Sequence, residues 1–347
     1  MRPHLSIDTK QIAANARAWR DFAGVPVRAV VKANGYGWGL ETLASAVADA
    51  VDTFCIADLE ELRALRVVSS APAVVLGAVP IAELREVLDA GALPTISTAE
   101  ELAVAAEWSR ERATIPRVRV GVRTAAAWSG LALEELAAFA PDLKAASAEV
   151  EAWTHITDLA DAEAQVREFE EALSVLAYAG VHVAGTDVCS TFPLAAGIRS
   201  GSSVRIGAGL FGATGGPRVP GVSCALRLRG PVLRTERHSA GTRIGYGGTM
   251  LGMDGPVAVL RGGFADGVPS SMQGKGSVLM IGMQYAAIDA SQLSHDAAEF
   301  VWLDESRSLD EFAAMASRPV HEVISGLGHA LSLIHISEPT RQAENSY

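Results

Sequence analysis

The sequence predicts a (β/α)8 barrel followed by a smaller, mainly β domain. Eight short apolar runs alternate with longer amphipathic stretches from residue 8 to about residue 220, the rhythm of a parallel barrel. After Gly215-Gly216-Pro217 the texture changes to short runs separated by Gly and Pro, as in a β domain. A chain of 347 residues has room for both units.

Asp8 stands before a stripe of Ile12, Ala16, Trp19 and Phe22, which predicts a capped first helix. The candidate strands are 28–32, 54–57, 73–77, 93–97, 117–122, 150–156, 182–188 and 203–210. Several are nearly continuous apolar runs, as strands buried on both faces should be. Helical patterns fill 41–50, 58–67, 81–90, 98–112, 133–140 and 161–179. A doubly wound sheet is the alternative, but it needs fewer strands and a different ending. The expected division is a barrel over 8–222 and a β domain over 223–330, with strands near 226–228, 257–260 and 278–281.

Residues 331–347 stand apart. Leu331-Ser332-Leu333-Ile334-His335-Ile336-Ser337-Glu338-Pro339-Thr340-Arg341 reads as an in-frame translation of a transposase-type sequencing adapter. The expectation is a foreign tail with no evolved role, set aside from fold reasoning.

Composition excludes several functions. Apolar residues make up 49% and charged residues 20%, ordinary for a soluble globular protein. The net charge of −11 argues against a nucleic-acid partner, which needs a basic footprint. No apolar run approaches a membrane span, and Met1-Arg2-Pro3-His4-Leu5-Ser6-Ile7-Asp8 lacks the apolar core of a signal peptide. Cys55, Cys189 and Cys224 are odd in number and lack metal-ligand spacing, so a reducing cytoplasm and no metal are expected.

Lys32 closes the first apolar run, and Ala33-Asn34-Gly35-Tyr36-Gly37-Trp38-Gly39 follows at once. A lysine ending a buried strand is costly unless its amine has a task. Desolvation favours the neutral amine, which can condense with an aldehyde, and glycines let backbone approach a ligand closely. The alternative is a lysine snorkelling out of a strand end. In a barrel, active-site groups sit at the C-terminal strand ends and phosphate beyond strands seven and eight. Strand seven ends near Ser190-Thr191, which offers hydroxyls. Strand eight carries Arg205-Ile206-Gly207-Ala208-Gly209, whose small residues let amides face a phosphate, although a tight turn explains the glycines equally well. Arg205 alone reads as a surface or ion-pair arginine. His155 alone reads as a satisfied core histidine.

The string Val30-Val31-Lys32-Ala33-Asn34-Gly35-Tyr36-Gly37-Trp38-Gly39 resembles the pyridoxal-phosphate (PLP) lysine segment of the alanine racemases, V-V-K-A-N-A-Y-G-H-G. Gly241-Thr242-Arg243-Ile244-Gly245-Tyr246-Gly247-Gly248-Thr249 resembles the segment that carries that family's second catalytic group. The resemblance spans about residues 1–330. It implies a homodimer in which Lys32 and Tyr246, the latter supplied in trans, serve opposite faces of a planar carbanion. Such an exchange requires two acid/base groups. A phenol, with a pKa of about 10, is a poor base at neutral pH and needs help. His155, in Trp153-Thr154-His155, matches the family's Y-T-H and is implied to assist it.

Arg205-Ile206-Gly207 matches the family's R-x-G, whose arginine meets the pyridine nitrogen of PLP. A guanidinium does not readily release its proton, so that nitrogen stays unprotonated and the ring is a weaker electron sink. Tyr36, Thr191, Gly207 and Ala208 align with phosphate-binding positions. Phe264, in Phe264-Ala265-Asp266-Gly267, stands where the family has a substrate-gate tyrosine, and Met283 matches the methionine of C-M-D-Q.

The pattern breaks on the substrate side. Trp128 occupies the place of an arginine that helps hold the substrate carboxylate, and indole cannot replace that contact. Gln284 replaces an aspartate, and the family's K-M-D-T-G-M-x-R segment after strand five is absent. The implied function is a PLP-dependent racemase interconverting L- and D-alanine or a related small amino acid. The alternatives are another PLP reaction on the same fold, such as decarboxylation, or a non-catalytic PLP-binding protein.

Overall fold

The protein is described by a computed structural model covering residues 3–125, 130–247, 249–294 and 296–336. Trp128 lies outside the described residues.

The first strand, β1 (His4–Ile7), does not join the barrel. It pairs antiparallel with β10 (Leu226–His238), setting Leu5 opposite Leu228, and so belongs to the C-terminal sheet. Helix α1 (Thr9–Ala23) starts where the sequence predicts. The Asp8 carboxylate accepts from the amides of Lys10 and Gln11, both at 3.0 Å, and Ile12, Ala16 and Trp19 are buried.

The barrel closes in the order β2 (Val27–Val30), β3 (Thr53–Ile56), β4 (Ala73–Ala78), β5 (Ala92–Ile96), β6 (Arg117–Gly121), β7 (Glu149–Trp153), β8 (His182–Ser190) and β9 (Ser203–Ile206). All eight correspond to the predicted runs, and parallel pairing of Arg28 with Arg205 closes the ring. A single turn α2 (Lys32–Tyr36) and helix α3 (Leu40–Val47) follow β2. Helices α4 (Leu59–Val68), α5 (Ile81–Asp89), α6 (Ala99–Glu111), α7 (Leu133–Ala145), α8 (Ala162–Tyr178) and α9 (Thr191–Ala195) follow β3 to β8 in turn. Thr98 and Glu101 form a reciprocal capping pair at the start of α6.

The barrel interior is not wholly apolar. Arg28 on β2 reaches across to Glu151 on β7, two strands that are not neighbours, so the pair spans the lumen. Arg119 on β6, Asp187 on β8 and Arg205 on β9 join it to form an ionic floor.

The C-terminal sheet runs β1, β10, β11 (Gly255–Arg261), β13 (Tyr285–Asp289) and β12 (Val278–Ile281), with β14 (Glu299–Leu303) also paired to β10. Ile244, Leu251, Val257, Leu279 and Ala287 form a small separate apolar cluster in it. Two helices follow, α10 (Leu309–Ala316) and α11 (Val320–Ile336). The sequence reading anticipated neither. Val323, Ile324, Leu327 and Ala330 are buried at helical spacing, which holds α11 against the barrel. The helix continues through residue 336, across the point where the adapter-like segment begins, and 337–347 lie outside the described residues. No helix among the described residues is long and apolar enough to cross a membrane.

Candidate active site

A cavity of about 1090 Å³ opens at the C-terminal mouth of the barrel. Lys32, Tyr36, His155, Thr191, Arg205, Gly207 and Ala208 all line it. These seven come from the ends of β2, β7, β8 and β9, so the parallel barrel brings distant sequence segments to one rim.

Lys32 follows β2 and begins α2, which turns left-handed. Ala33, Asn34, Gly35 and Tyr36 have φ of 55°, 50°, 61° and 59°. Such backbone costs about 1 kcal/mol or more at each non-glycine residue and persists only where its surroundings hold it. Asn34 supplies much of that hold. Its side-chain oxygen accepts from the Leu40 amide at 2.9 Å, and its own amide donates to Glu61 at 3.0 Å. The Lys32 side chain is open to the cavity, and its amine has no hydrogen-bonded partner among the described residues.

Tyr36 is buried edge-on against Phe211, ring centroids 5.4 Å apart. Burial raises its phenol above the usual tyrosine range. A Cβ on Gly207 would lie 2.2 Å from the Tyr36 hydroxyl, so only glycine lets the two meet. Thr191 Oγ1 accepts from the amides of Gly207 and Gly209 at 3.3 and 3.4 Å. Phenol, hydroxyl and amides thus converge at one end of the cavity.

Arg205 combines the two readings left open by the sequence: it lines the cavity and it is ion-paired. Its Nη1 lies 2.5 Å from Asp187 Oδ1, and its Nη2 donates to the Thr154 carbonyl at 2.7 Å. His155 Nδ1 lies 3.5 Å from the same Nη2. His155 is open to the cavity, yet desolvation by the walls around it, with Arg205 and Lys32 nearby, pushes its pKa down to about 4. At neutral pH it is uncharged and able to accept a hydrogen bond.

Tyr246, Phe264 and Met283 lie elsewhere. They are 97%, 50% and 63% exposed on the C-terminal domain, and none lines the cavity of its own chain. Tyr246 sits in a turn between Gly245 and Gly247, with φ of 72° and 58°. Phe264 and Met283 belong to two segments in close contact, the Phe264 amide donating to Gly282 and the Ala265 amide to Met283, both at 3.0 Å.

Among the cavity residues that escaped the sequence reading are two from the C-terminal helix. His321 and Ser325 come from α11 and wall the cavity beside Tyr36. The His321 ring stacks on Tyr36 at 6.4 Å and meets Phe192 edge-on at 5.3 Å. Burial, then Lys32, lowers its pKa. Only recognition of the α11 periodicity would have pointed to them. Asp187 was also missed, although an aspartate inside an apolar strand is itself a signal.

Residues 7–215 match the family described as alanine racemase, N-terminal domain, and residues 225–335 match alanine racemase, C-terminal domain. The alanine racemase of Beutenbergia cavernae is 31% identical over 304 residues, covering 78% of this chain and 77% of its own. That of Symbiobacterium thermophilum is 31% identical over 309 residues, covering 81% and 79%. Among solved structures, the alanine racemase of Bartonella henselae with covalently bound pyridoxal phosphate superposes with a TM-score of 0.80 at 21% identity, covering 95% of this chain and 98% of that one. The two family matches together span most of the sequence, and the chain belongs to the alanine racemase family.

Proposed function

We infer that the protein is a PLP-dependent amino-acid racemase acting on alanine or a similarly small amino acid. The observation that carries this reading is the meeting of Lys32, Arg205 and the Tyr36–Thr191–Gly207 group on one cavity. The donor set fits PLP. Lys32 offers an amine for the aldehyde, and Arg205 a non-acidic donor for the ring nitrogen. The Tyr36 and Thr191 hydroxyls beside Gly207 suit a phosphate, and the contact that excludes a Cβ there leaves a small-residue cradle. When bound, PLP supplies an electron-withdrawing ring that stabilises negative charge at the substrate α-carbon.

The chain's own groups then handle the proton. Lys32 Nζ takes or returns it on one face. The partner subunit's Tyr246 serves the other face in a homodimer. Tyr246 is almost fully exposed and absent from its own cavity, which suits a group presented to a second chain. His155 is neutral, and with its Nδ1 turned to the Arg205 donor its proton sits on Nε2, which donates to the phenol oxygen and eases its ionisation. Phe264 and Met283 lie on the same domain as Tyr246 and are assigned with Trp128 to the substrate side. The barrel over 8–222 holds the cofactor, and the domain over 223–330 presents Tyr246. Residues 331–347 have no part in the reaction. Three buried free cysteines, Cys55, Cys189 and Cys224, suit the reducing cytoplasm.

Chiral analysis of single enantiomers of several amino acids, incubated with protein and PLP in D2O, tests the reading. Inversion accompanied by α-deuterium is the expected result. Deuterium incorporation without inversion, or carbon dioxide release, would transfer the chain to another reaction class.

A further inference from the structure

An ionic floor lies beneath the cavity. Arg28, Arg119 and Arg205 share two carboxylates, Glu151 and Asp187. Asp187 is fully buried and lies at the centre. Its Oδ2 is 2.7 Å from Arg119 Nη2 and 3.6 Å from Arg28 Nη1, while its Oδ1 faces Arg205 Nη1 at 2.5 Å. Glu151 contacts Arg28 and Arg119, and no ion pair joins it to Arg205. Of the two carboxylates, only Asp187 therefore touches the arginine that lines the cavity.

We propose that Asp187 is a positioning residue for the reaction: it anchors the Arg205 guanidinium and offsets its charge, setting how that group meets the cofactor's ring nitrogen. This rests on the reading that Arg205 faces that nitrogen. A guanidinium is a flat fork whose direction is set by its acceptors. Nη1 of Arg205 is paired with the Asp187 carboxylate and donates to the Asp187 carbonyl at 3.2 Å, while Nη2 donates to the carbonyls of Thr154 and Val188 at 2.7 and 3.5 Å. Arg205 also lines the cavity, and its Nη2 lies 3.5 Å from His155 Nδ1. The Trp153 ring packs 5.6 Å from the Arg205 guanidinium and 4.9 Å from that of Arg119, limiting out-of-plane movement. Asp187 also carries consequences beyond orientation. An unbalanced guanidinium would pull electron density from the ring more strongly than a paired one. It would also raise the positive potential at His155, already disfavoured as a cation by Arg205.

The test loads the full-length protein with PLP labelled with 15N in the ring and follows the nitrogen resonance from mildly acid to mildly alkaline pH. Wild type is expected to give a hydrogen-bonded, unprotonated signal that does not titrate. Asp187→Asn is expected to move or broaden that signal and make it pH-dependent, with kcat/KM reduced by about a hundredfold, the scale of a misplaced catalytic contact. Glu151→Gln, which disturbs the same floor away from Arg205, is expected to keep the wild-type signal.

Loss of a central carboxylate leaves buried arginines unpaired. The double variant Asp187→Asn/Arg119→Met therefore removes one charge of each sign and must show the same altered signal. A wild-type signal in either Asp187 variant overturns the proposal. So does a double variant that fails to fold, because Asp187 is then only structural. A wild-type signal that titrates like free PLP overturns the Arg205 reading itself, and the proposal with it.

Discussion

Gly328 on α11 lies directly against the Tyr36 carbonyl: a Cβ at Gly328 would sit 2.6 Å from that oxygen and 2.8 Å from the Gly37 carbonyl carbon. Through this contact the C-terminal helix braces the strained turn that carries Lys32. The Trp38 indole N–H adds a 3.0 Å bond to the Ile324 carbonyl.

Gly328→Ala should push α11 away from the turn. The two nearest neighbours are backbone, which gives little, and the third is the buried Trp38 ring, so a loss of about 1–3 kcal/mol is expected, the usual cost of overpacking. Thermal melting and PLP affinity should fall together. An unchanged melting temperature would mean that α11 does not brace the turn.

Tyr246→Phe removes the phenolic proton and leaves the ring. Cofactor loading should persist, while exchange falls by roughly 10²–10⁴-fold, the range for a lost acid/base group. The loss should be greater from one enantiomer than from the other. Mixing Lys32→Ala and Tyr246→Phe subunits should restore part of the activity, because one of the two hybrid sites holds both native groups. No recovery after subunit exchange would contradict assignment of Tyr246 to the partner.

His155 links folding to pH. Its folded pKa of about 4 lies below the ordinary value of 6.5. Between these pH values the unfolded chain binds the proton and the folded one does not, so stability falls as pH drops from about 6.5 to about 4 and this contribution levels off below. His155→Gln should flatten that part of the stability profile in urea titrations. An unaltered slope would show that His155 is not held neutral.

Much of this architecture was legible because a parallel barrel writes itself into the chain. Phe54, Cys55 and Ile56 are buried on both faces of their strand, so the run is continuous and easily read. The cavity's cofactor side was legible for a similar reason, since Lys32, Thr191 and Arg205 stand at or beside strand ends. The ionic floor was not. It depends on the lumen-crossing pair Arg28–Glu151 and on Asp187, and the closure that joins them is a tertiary fact. β1 escaped because four residues give too little periodicity, and its pairing partner lies more than 200 positions away. α11 and His321 were missed where the helical pattern runs into the adapter-like segment.

Borohydride reduction of the PLP-loaded protein, followed by peptide mapping, asks whether Lys32 carries the covalent bond to PLP. One pyridoxyl label is expected, on Lys32, lost in Lys32→Ala while the fold is retained. An unlabelled protein, or a label on another lysine, would contradict it.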